Sequence, residues 1–170
     1  MTVALLATAI AAGGIAGAWV FIGPTGFAFA WVTHFILMAW VPSVVRPGVQ
    51  IPDHELLRVR SWEPRLYSAL GVRLFGNLLD VIGWNRIITR ERGFDGTRRG
   101  LEGLDQHTRR SEIGHSVCLL ITAVLAFVVL ATESWAGALW LIGLGVPFHL
   151  YPTLLQRLLR SRIQAVPSRA

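Results

Sequence analysis

The segment TVALLATAIAAGGIAGAWVFI, residues Thr2 to Ile22, decides the class of this fold. It contains no charged side chain, and about 20 helical residues at 1.5 Å each cross roughly 30 Å of hydrocarbon. A secretory signal peptide would begin with a positively charged region, which Met1-Thr2-Val3 lacks. We therefore expect residues 2–22 to be retained as a transmembrane helix.

Three further apolar segments have a similar length, at residues 27–45, 113–132 and 135–155. Short turns at Gly23–Gly26 and Glu133–Ser134 separate the members of each neighbouring pair. Over the whole chain of 170 residues, 53% are hydrophobic and only 15% are charged, with a mean hydropathy of +0.52. These values are far from those of a water-soluble domain. The sequence predicts an all-α integral membrane protein with four transmembrane helices, as a single membrane domain over residues 1–170.

A polar stretch separates the second and third apolar segments. Within it, Arg73, Asn77 and Asp80 follow one another at intervals of four and three, and leucines repeat along another face. We interpret residues 62–84 as a cytosolic-side amphipathic helix that lies in the interface or re-enters the membrane. The pattern leaves open whether it crosses. We expect a loop over residues 85–111, which are rich in glycine and charge.

The charges indicate where the chain lies in the membrane. All 16 basic residues are arginines, which flank the apolar segments, and the net charge is +6. This placement favours the lipid bilayer and its anionic headgroups as partner, with no nucleic acid. The positive-inside rule predicts a multi-pass protein of a bacterial-type plasma membrane with both termini in the cytosol. The one cysteine, Cys118, excludes a disulfide framework and a cysteine metal cluster.

Ionisable side chains within apolar segments are costly and therefore need a reason. Glu112 and His115 are three residues apart, and His149 lies near the end of the fourth segment. We expect the three to converge at a shallow cytosolic site, with His115 as general base, Glu112 orienting it and His149 assisting. The same three residues are also suitable zinc or iron ligands. A third interpretation is structural, with Glu112 capping a helix and His115 bonded to a neighbour.

The arginines beyond the fourth segment have two interpretations. Gln156, Arg157 and Arg160 share one helical face. They form either an anchor for anionic lipid or, together with Arg110, a site for the phosphate or phosphopantetheine of an acyl donor.

Three blocks of sequence resemble one family of membrane enzymes. They are Trp62-Glu63 with Tyr67 and Leu70-Gly71-Val72, then TRRSEIGH at Thr108–His115, then YPTLLQRLLRSRI at Tyr151–Ile163. Together they are similar to the glycosyl-diaponeurosporenoate acyltransferase family of staphyloxanthin-type carotenoid biosynthesis. The resemblance covers roughly residues 52–163, the first two apolar segments matching only as generic hydrophobic helices. Residues 90–106 depart from the family's pattern.

The resemblance implies an enzyme that esterifies a fatty acyl chain onto a sugar hydroxyl of a glycosylated carotenoid or lipid. The positions of the family's pattern that it carries over are Glu63, Glu112, His115, Tyr151, Gln156, Arg157, Arg160 and Arg162. Of these, we expect Glu63 and Tyr151 to bind substrate together with Gln156 and the arginines. We expect no cofactor beyond an acyl donor such as acyl-CoA or acyl carrier protein. The rival hypothesis is a non-catalytic subunit or assembly factor of a membrane complex, in which His34 and His149 bind a pigment or metal. The sequence leaves open whether the chain forms a homodimer.

Overall fold

The computed structural model describes residues 2–45, 48–84, 94, 96–97 and 100–166. These residues form helices and connections, with no strand among them. The chain divides into two compact units. One, here called the apolar unit, comprises Met1–Val49 and Gly114–Leu150. The other, the polar unit, comprises Gln50–Ile113 and Tyr151–Ala170. A single membrane domain over the whole chain stays a prediction.

Helix α1 spans Thr2–Phe21 and α2 spans Phe27–Val44. Helix α5 spans Gly100–Thr132, and α6 spans Trp135–Gly145. A π-helical turn at Val146–Leu150 and α7 at Tyr151–Gln164 follow α6. Four helical segments of the described chain are long and apolar enough to cross a membrane: Thr2–Phe21, Phe27–Val44, Gly100–Thr132 and Trp135–Gln164. The predicted fold class is confirmed.

The core of the apolar unit is made of small and branched side chains that let the helices approach closely. Phe29 and Leu141 are fully buried, and the ring of Trp19 packs edge-on against Phe29 with centroids 5.7 Å apart. Gly137 is required at its position in α6, because a Cβ atom there would collide with the carbonyl oxygen of Pro24. The turn between α1 and α2 therefore packs directly onto the α6 backbone.

The π-helical turn at Val146–Leu150 contains Pro147. Proline lacks an N–H group, and its ring clashes with the carbonyl four residues earlier, so it kinks or breaks a regular α-helix. The wider turn places His149 in the interior of the apolar unit, where its side chain is fully buried. Turns of this kind frequently mark functional sites.

In the polar unit, a 3₁₀ turn at Glu55–Leu57 precedes α3 (Glu63–Ala69) and α4 (Val72–Val81). One continuous helix over 62–84 was therefore wrong. The break lies at Gly71, whose φ of 78° falls in the left-handed region that glycine favours. The Tyr151 hydroxyl donates a hydrogen bond of 2.8 Å to the carbonyl of Leu70, beside this break. The apolar face of α4 is exposed, as expected for an amphipathic helix, and its interfacial location stays a prediction.

The predicted loop over 85–111 was also wrong in its last part, because residues 100–111 belong to α5. Leu104, Thr108 and Glu112 recur every four residues on its buried face, and Asp105 accepts a 2.7 Å hydrogen bond from Arg109 one turn later. A four-residue repeat of buried positions with an i,i+4 ion pair favours helix despite the glycines. The remainder of that loop, residues 85–93, 95 and 98–99, lies outside the described residues.

Candidate functional site

Three histidines from different parts of the chain meet inside the apolar unit. His34 lies on α2, His115 on α5 and His149 in the π-helical turn. Nδ1 of His34 lies 2.9 Å from Nε2 of His149. Nδ1 of His149 lies 3.5 Å from Nδ1 of His115, a long contact. His34 and His149 are fully buried, whereas His115 is partly exposed. The three rings form a row, here called the histidine chain, that ends at His115.

A backbone carbonyl determines the tautomers of this chain when the rings are neutral. The carbonyl of Leu141 lies 3.0 Å from Nε2 of His34, and it can only accept a hydrogen bond. His34 therefore carries its proton on Nε2 and accepts at Nδ1 from Nε2–H of His149. The free nitrogen of His149 is then Nδ1, which accepts from Nδ1–H of His115. The ring of His115 also hydrogen-bonds the backbone of Phe148, and a proton on Nδ1 leaves the lone pair of this ring on Nε2.

Glu112 is held by arginines in the polar unit. Its Oε1 lies 2.6 Å from Nη1 of Arg157, and its Oε2 lies 2.5 Å from Nη1 of Arg160. The structure thus brings His115 and His149 together and places Arg157 and Arg160 against Glu112. That Glu112 orients His115 stays a prediction. Among the residues described, no group of three or more His, Cys, Asp or Glu is placed to hold a metal ion.

Arg157 makes hydrogen bonds and ion pairs to several elements of the polar unit. Its guanidinium binds the carboxylate of Glu63 through Nε at 2.9 Å and through Nη2 at 2.8 Å. Its Nη1 and Nη2 also donate to the carbonyls of Leu56 and Arg58, at 3.0 and 3.1 Å. With Glu112 included, all five N–H donors of the side chain have partners inside the polar unit. Arg157 therefore joins α3, α5, α7 and the 3₁₀ turn.

Arg160 is fully buried beside it. Arg160 forms an ion pair with Glu112, and it donates hydrogen bonds to the carbonyl of Leu57 at 2.6 Å and to the hydroxyl of Thr108 at 3.1 Å. The two arginines and the carboxylates of Glu63 and Glu112 balance in charge. A buried cluster of this kind is tolerable because each charge faces an opposite one. Within the described residues, Oε2 of Glu112 and Nη2 of Arg160 are buried without a hydrogen bond.

Tyr67 and Glu63 complete the cluster. The Tyr67 hydroxyl donates a short hydrogen bond to Glu63 and lies 3.0 Å from Nε of Arg157. Burial and the hydrogen bond to Glu63 raise the pKa of Tyr67 to about 12. Burial by itself would raise the pKa of Glu63, but hydrogen bonds from Tyr67, the Arg60 backbone and Arg157 outweigh it and hold that pKa below its usual value.

The model of one protein family matches residues 53–169, which is more than half of the chain. Its description is glycosyl-4,4'-diaponeurosporenoate acyltransferase. The chain belongs to this family. No match was found among curated proteins or solved structures.

Membership in the glycosyl-4,4'-diaponeurosporenoate acyltransferase family confirms the resemblance seen in the sequence and assigns the chain to a family named for acyl transfer in carotenoid biosynthesis. The matched range includes His115, His149 and the whole arginine cluster. It begins after α2, so His34 comes from outside it.

The other site residues predicted for this family member lie outside the histidine chain and the arginine cluster. Tyr151 bonds to Leu70 at the α3–α4 break, and Gln156 is buried in α7. Arg110 lies on α5 and is itself partnered. Sequence reasoning missed the contact of His34 with His149, since it named His34 only as a pigment or metal ligand, and it missed Thr108, which supports Arg160. A histidine in the middle of an apolar segment was the available signal for the first.

Proposed function

We propose that this protein is a multi-pass membrane acyltransferase that moves a fatty acyl chain onto a sugar hydroxyl of a glycosylated carotenoid or related lipid. The donor would be a thioester such as acyl-CoA or acyl carrier protein. Family membership supports the reaction class, and the histidine chain supports the catalytic assignment. The single observation that carries the assignment is the position of His115 at the partly exposed end of that chain, with its Nδ1 turned toward His149.

In the proposed reaction, Nε2 of His115 removes the proton from the sugar hydroxyl as its oxygen attacks the carbonyl carbon of the thioester. The new C–O bond gives a tetrahedral intermediate. When this collapses, the C–S bond breaks and the imidazolium returns its proton to the departing thiolate. The products are an ester and a free thiol, and His115 ends neutral as it began.

His149 and His34 act through His115 as positioning residues. His149 accepts from Nδ1–H of His115, which fixes the tautomer and aims the basic nitrogen away from the chain. His34, anchored on the carbonyl of Leu141, fixes His149 in turn. In this proposal His149 orients His115, which is the role that the sequence suggested for Glu112. His149 then has no separate role at the tetrahedral intermediate.

The arginine cluster supports the fold in this proposal. Because every donor of Arg157 already has a partner, we assign Arg157 and Arg160 to holding the polar unit together, and no longer to binding the donor. The cytosolic placement of both termini, from the distribution of arginines, belongs to the same proposal and suits a donor supplied from the cytosol.

The test is acyl transfer by the purified protein in lipid nanodiscs, with a glycosylated diaponeurosporenoate as acceptor and an acyl-CoA as donor. We expect His115→Gln to lower kcat by about 100- to 10,000-fold. The matched control is His54→Gln, because His54 is an exposed histidine of the polar unit. Full activity of the His115 variant would contradict the proposal.

The same preparation addresses the rival subunit hypothesis. His34 and His149 each have both ring nitrogens in contacts within the histidine chain, so an axial ligand role would require breaking those contacts. A visible absorption band that disappears in His149→Ala, together with no acyl transfer by the wild type, would favour the rival.

A further inference from the structure

A groove of about 310 Å³ lies within the polar unit between α4 and α7. Helix α4 contributes Arg73, Asn77 and Asp80 to it, and α7 contributes Leu158 and Arg162. Each helix lines the groove with positions at intervals of three and four, so one face of each helix is turned toward it. None of these residues belongs to the histidine chain or to the arginine cluster.

The groove carries two arginines that have no partner among the described residues. Within the described residues, neither Arg73 nor Arg162 forms a hydrogen bond or an ion pair, and both are exposed. The carboxylate of Asp80 also lines the groove, so the lining carries one excess positive charge. A guanidinium presents parallel N–H groups that match the oxygens of a phosphate. Asn77 adds a neutral hydrogen-bonding amide.

Apart from Arg162, the α7 wall of the groove is apolar. Leu155, Leu158 and Leu159 form a leucine surface along α7. Gly76 faces this surface from α4, where a Cβ atom would lie 3.4 Å from Cδ1 of Leu155. Glycine inside a helix is destabilising relative to alanine in general, and here it leaves room beside the leucines. The groove therefore combines cationic groups with a surface suited to a hydrocarbon chain.

We propose that this groove binds the phosphate ester of an amphiphile, with Arg73 and Arg162 on the phosphate and the hydrocarbon part along the leucine surface. Two sources share this chemistry. One is the phosphate of a phosphopantetheine-bearing acyl donor, which rests on the proposed function. The other is the headgroup of an anionic phospholipid of the surrounding bilayer.

The guanidiniums of Arg157 and Arg160 do not compete for this role, since internal carboxylates already neutralise them. Arg162 differs from both because it lies on another face of α7. The same helix thus uses one face to hold the polar unit and another to present a cation to the groove.

The experiment measures binding by the full chain in nanodiscs, without turnover. In phosphatidylcholine nanodiscs the probe is coenzyme A, titrated calorimetrically. In mixed nanodiscs the probe is phosphatidylglycerol, scored by native mass spectrometry of the lipids that stay bound. The test variant is Arg73→Gln/Arg162→Gln, and the matched control is Arg65→Gln, an exposed arginine of α3 that does not line the groove. Gly76→Leu, which fills the space beside the leucines, is a second and independent variant.

We expect the double variant to weaken binding of one probe by about tenfold or more, and Arg65→Gln to leave it unchanged. A loss confined to coenzyme A identifies the donor as the source, and a loss confined to phosphatidylglycerol identifies the headgroup. Wild-type binding of both probes by the double variant, or an equal loss in Arg65→Gln, would overturn the proposal. The variant His115→Gln separates this binding proposal from the proposed catalytic function, because it should abolish acyl transfer while leaving both probes bound.

Discussion

Nε2 of His149 lies 2.9 Å from Nδ1 of His34, although the two residues are 115 positions apart in the chain. His34 in turn rests on the carbonyl of Leu141. A carbonyl cannot donate, so the direction of every hydrogen bond in the neutral chain follows from this one contact. The tautomer of His115, the residue that we assign as general base, thus depends on His34, which does not contact it.

Replacing His34 should therefore lower kcat with little change in KM. In His34→Leu, the buried Nε2–H of His149 loses its acceptor, so His149 no longer fixes the tautomer of His115. We expect kcat to fall about tenfold or more, since general-base catalysis contributes at least that much. Steady-state kinetics of acyl transfer would measure the split between kcat and KM.

The conservative variant His34→Asn serves as the control, because its amide oxygen can accept near the position of Nδ1. We expect it to recover part of the kcat lost in His34→Leu. Equal kcat values for His34→Leu and the wild type would contradict the positioning role, and equal losses in both variants would indicate a role in packing alone.

Arg157 should be the most costly side chain to remove from the polar unit. Arg157→Met leaves the buried carboxylates of Glu63 and Glu112 without a common partner, and breaking such a cluster typically costs about 3–5 kcal/mol. Denaturant unfolding in mixed micelles would measure the loss. The double variant Arg157→Met/Glu63→Gln should lose less than the sum of the two single variants.

Arg58→Met is the matched control for that measurement, because the side chain of Arg58 is exposed and pairs at 2.6 Å with the exposed Asp53. Exposed ion pairs contribute little, so we expect no marked change in unfolding. If Arg157→Met and Arg58→Met behaved alike, the arginine cluster would not hold the polar unit together.

Gly137→Ala should destabilise the apolar unit. The added methyl group would meet the carbonyl oxygen of Pro24 and, at 2.9 Å, a methyl group of Val129. Overpacking of this kind costs about 1–3 kcal/mol. Gly143→Ala in the same helix is the control, because nothing lies within 4 Å of its added atom. Thermal unfolding of both variants in nanodiscs would rank them, and a Gly143 variant as unstable as the Gly137 variant would contradict the close approach.

Tyr67 should make the fold sensitive to alkali. Its pKa is about 12 in the folded protein and about 10 in an unfolded chain, so the unfolded chain loses this proton first. The contribution of Tyr67 to stability is complete below pH 10 and is lost as the pH rises toward 12. Since the sequence contains no lysine, few other groups titrate in this range.

Phenolate absorbance would follow this titration directly. The chain contains 2 tyrosines, so Tyr151→Phe leaves Tyr67 as its one phenol. We expect that variant to titrate near pH 12 and the unfolded chain near pH 10. A phenolate signal near pH 10 in the folded Tyr151→Phe variant would show that Tyr67 does not make the bond to Glu63.

The membrane class follows from the amino-acid sequence alone, because length and hydropathy are local properties. The same holds for the boundaries of α1 and α2, which lie within one residue of the expected segments. Its blocks also led to the correct family. Local patterns failed at residues 100–111, where glycine and charge favoured a loop but the buried face of Leu104 and Thr108 stabilises a helix.

Which polar groups meet depends on how the helices pack. The spacing of Glu112 and His115 predicted a pair, whereas the contacts described join Glu112 to Arg157, 45 positions away, and His115 to His149, 34 positions away. Spacing along a helix says which side chains share a face, but the partner that satisfies a buried charge or ring comes from whichever helix packs against that face. That choice depends on the packing of the whole unit, which no local pattern contains.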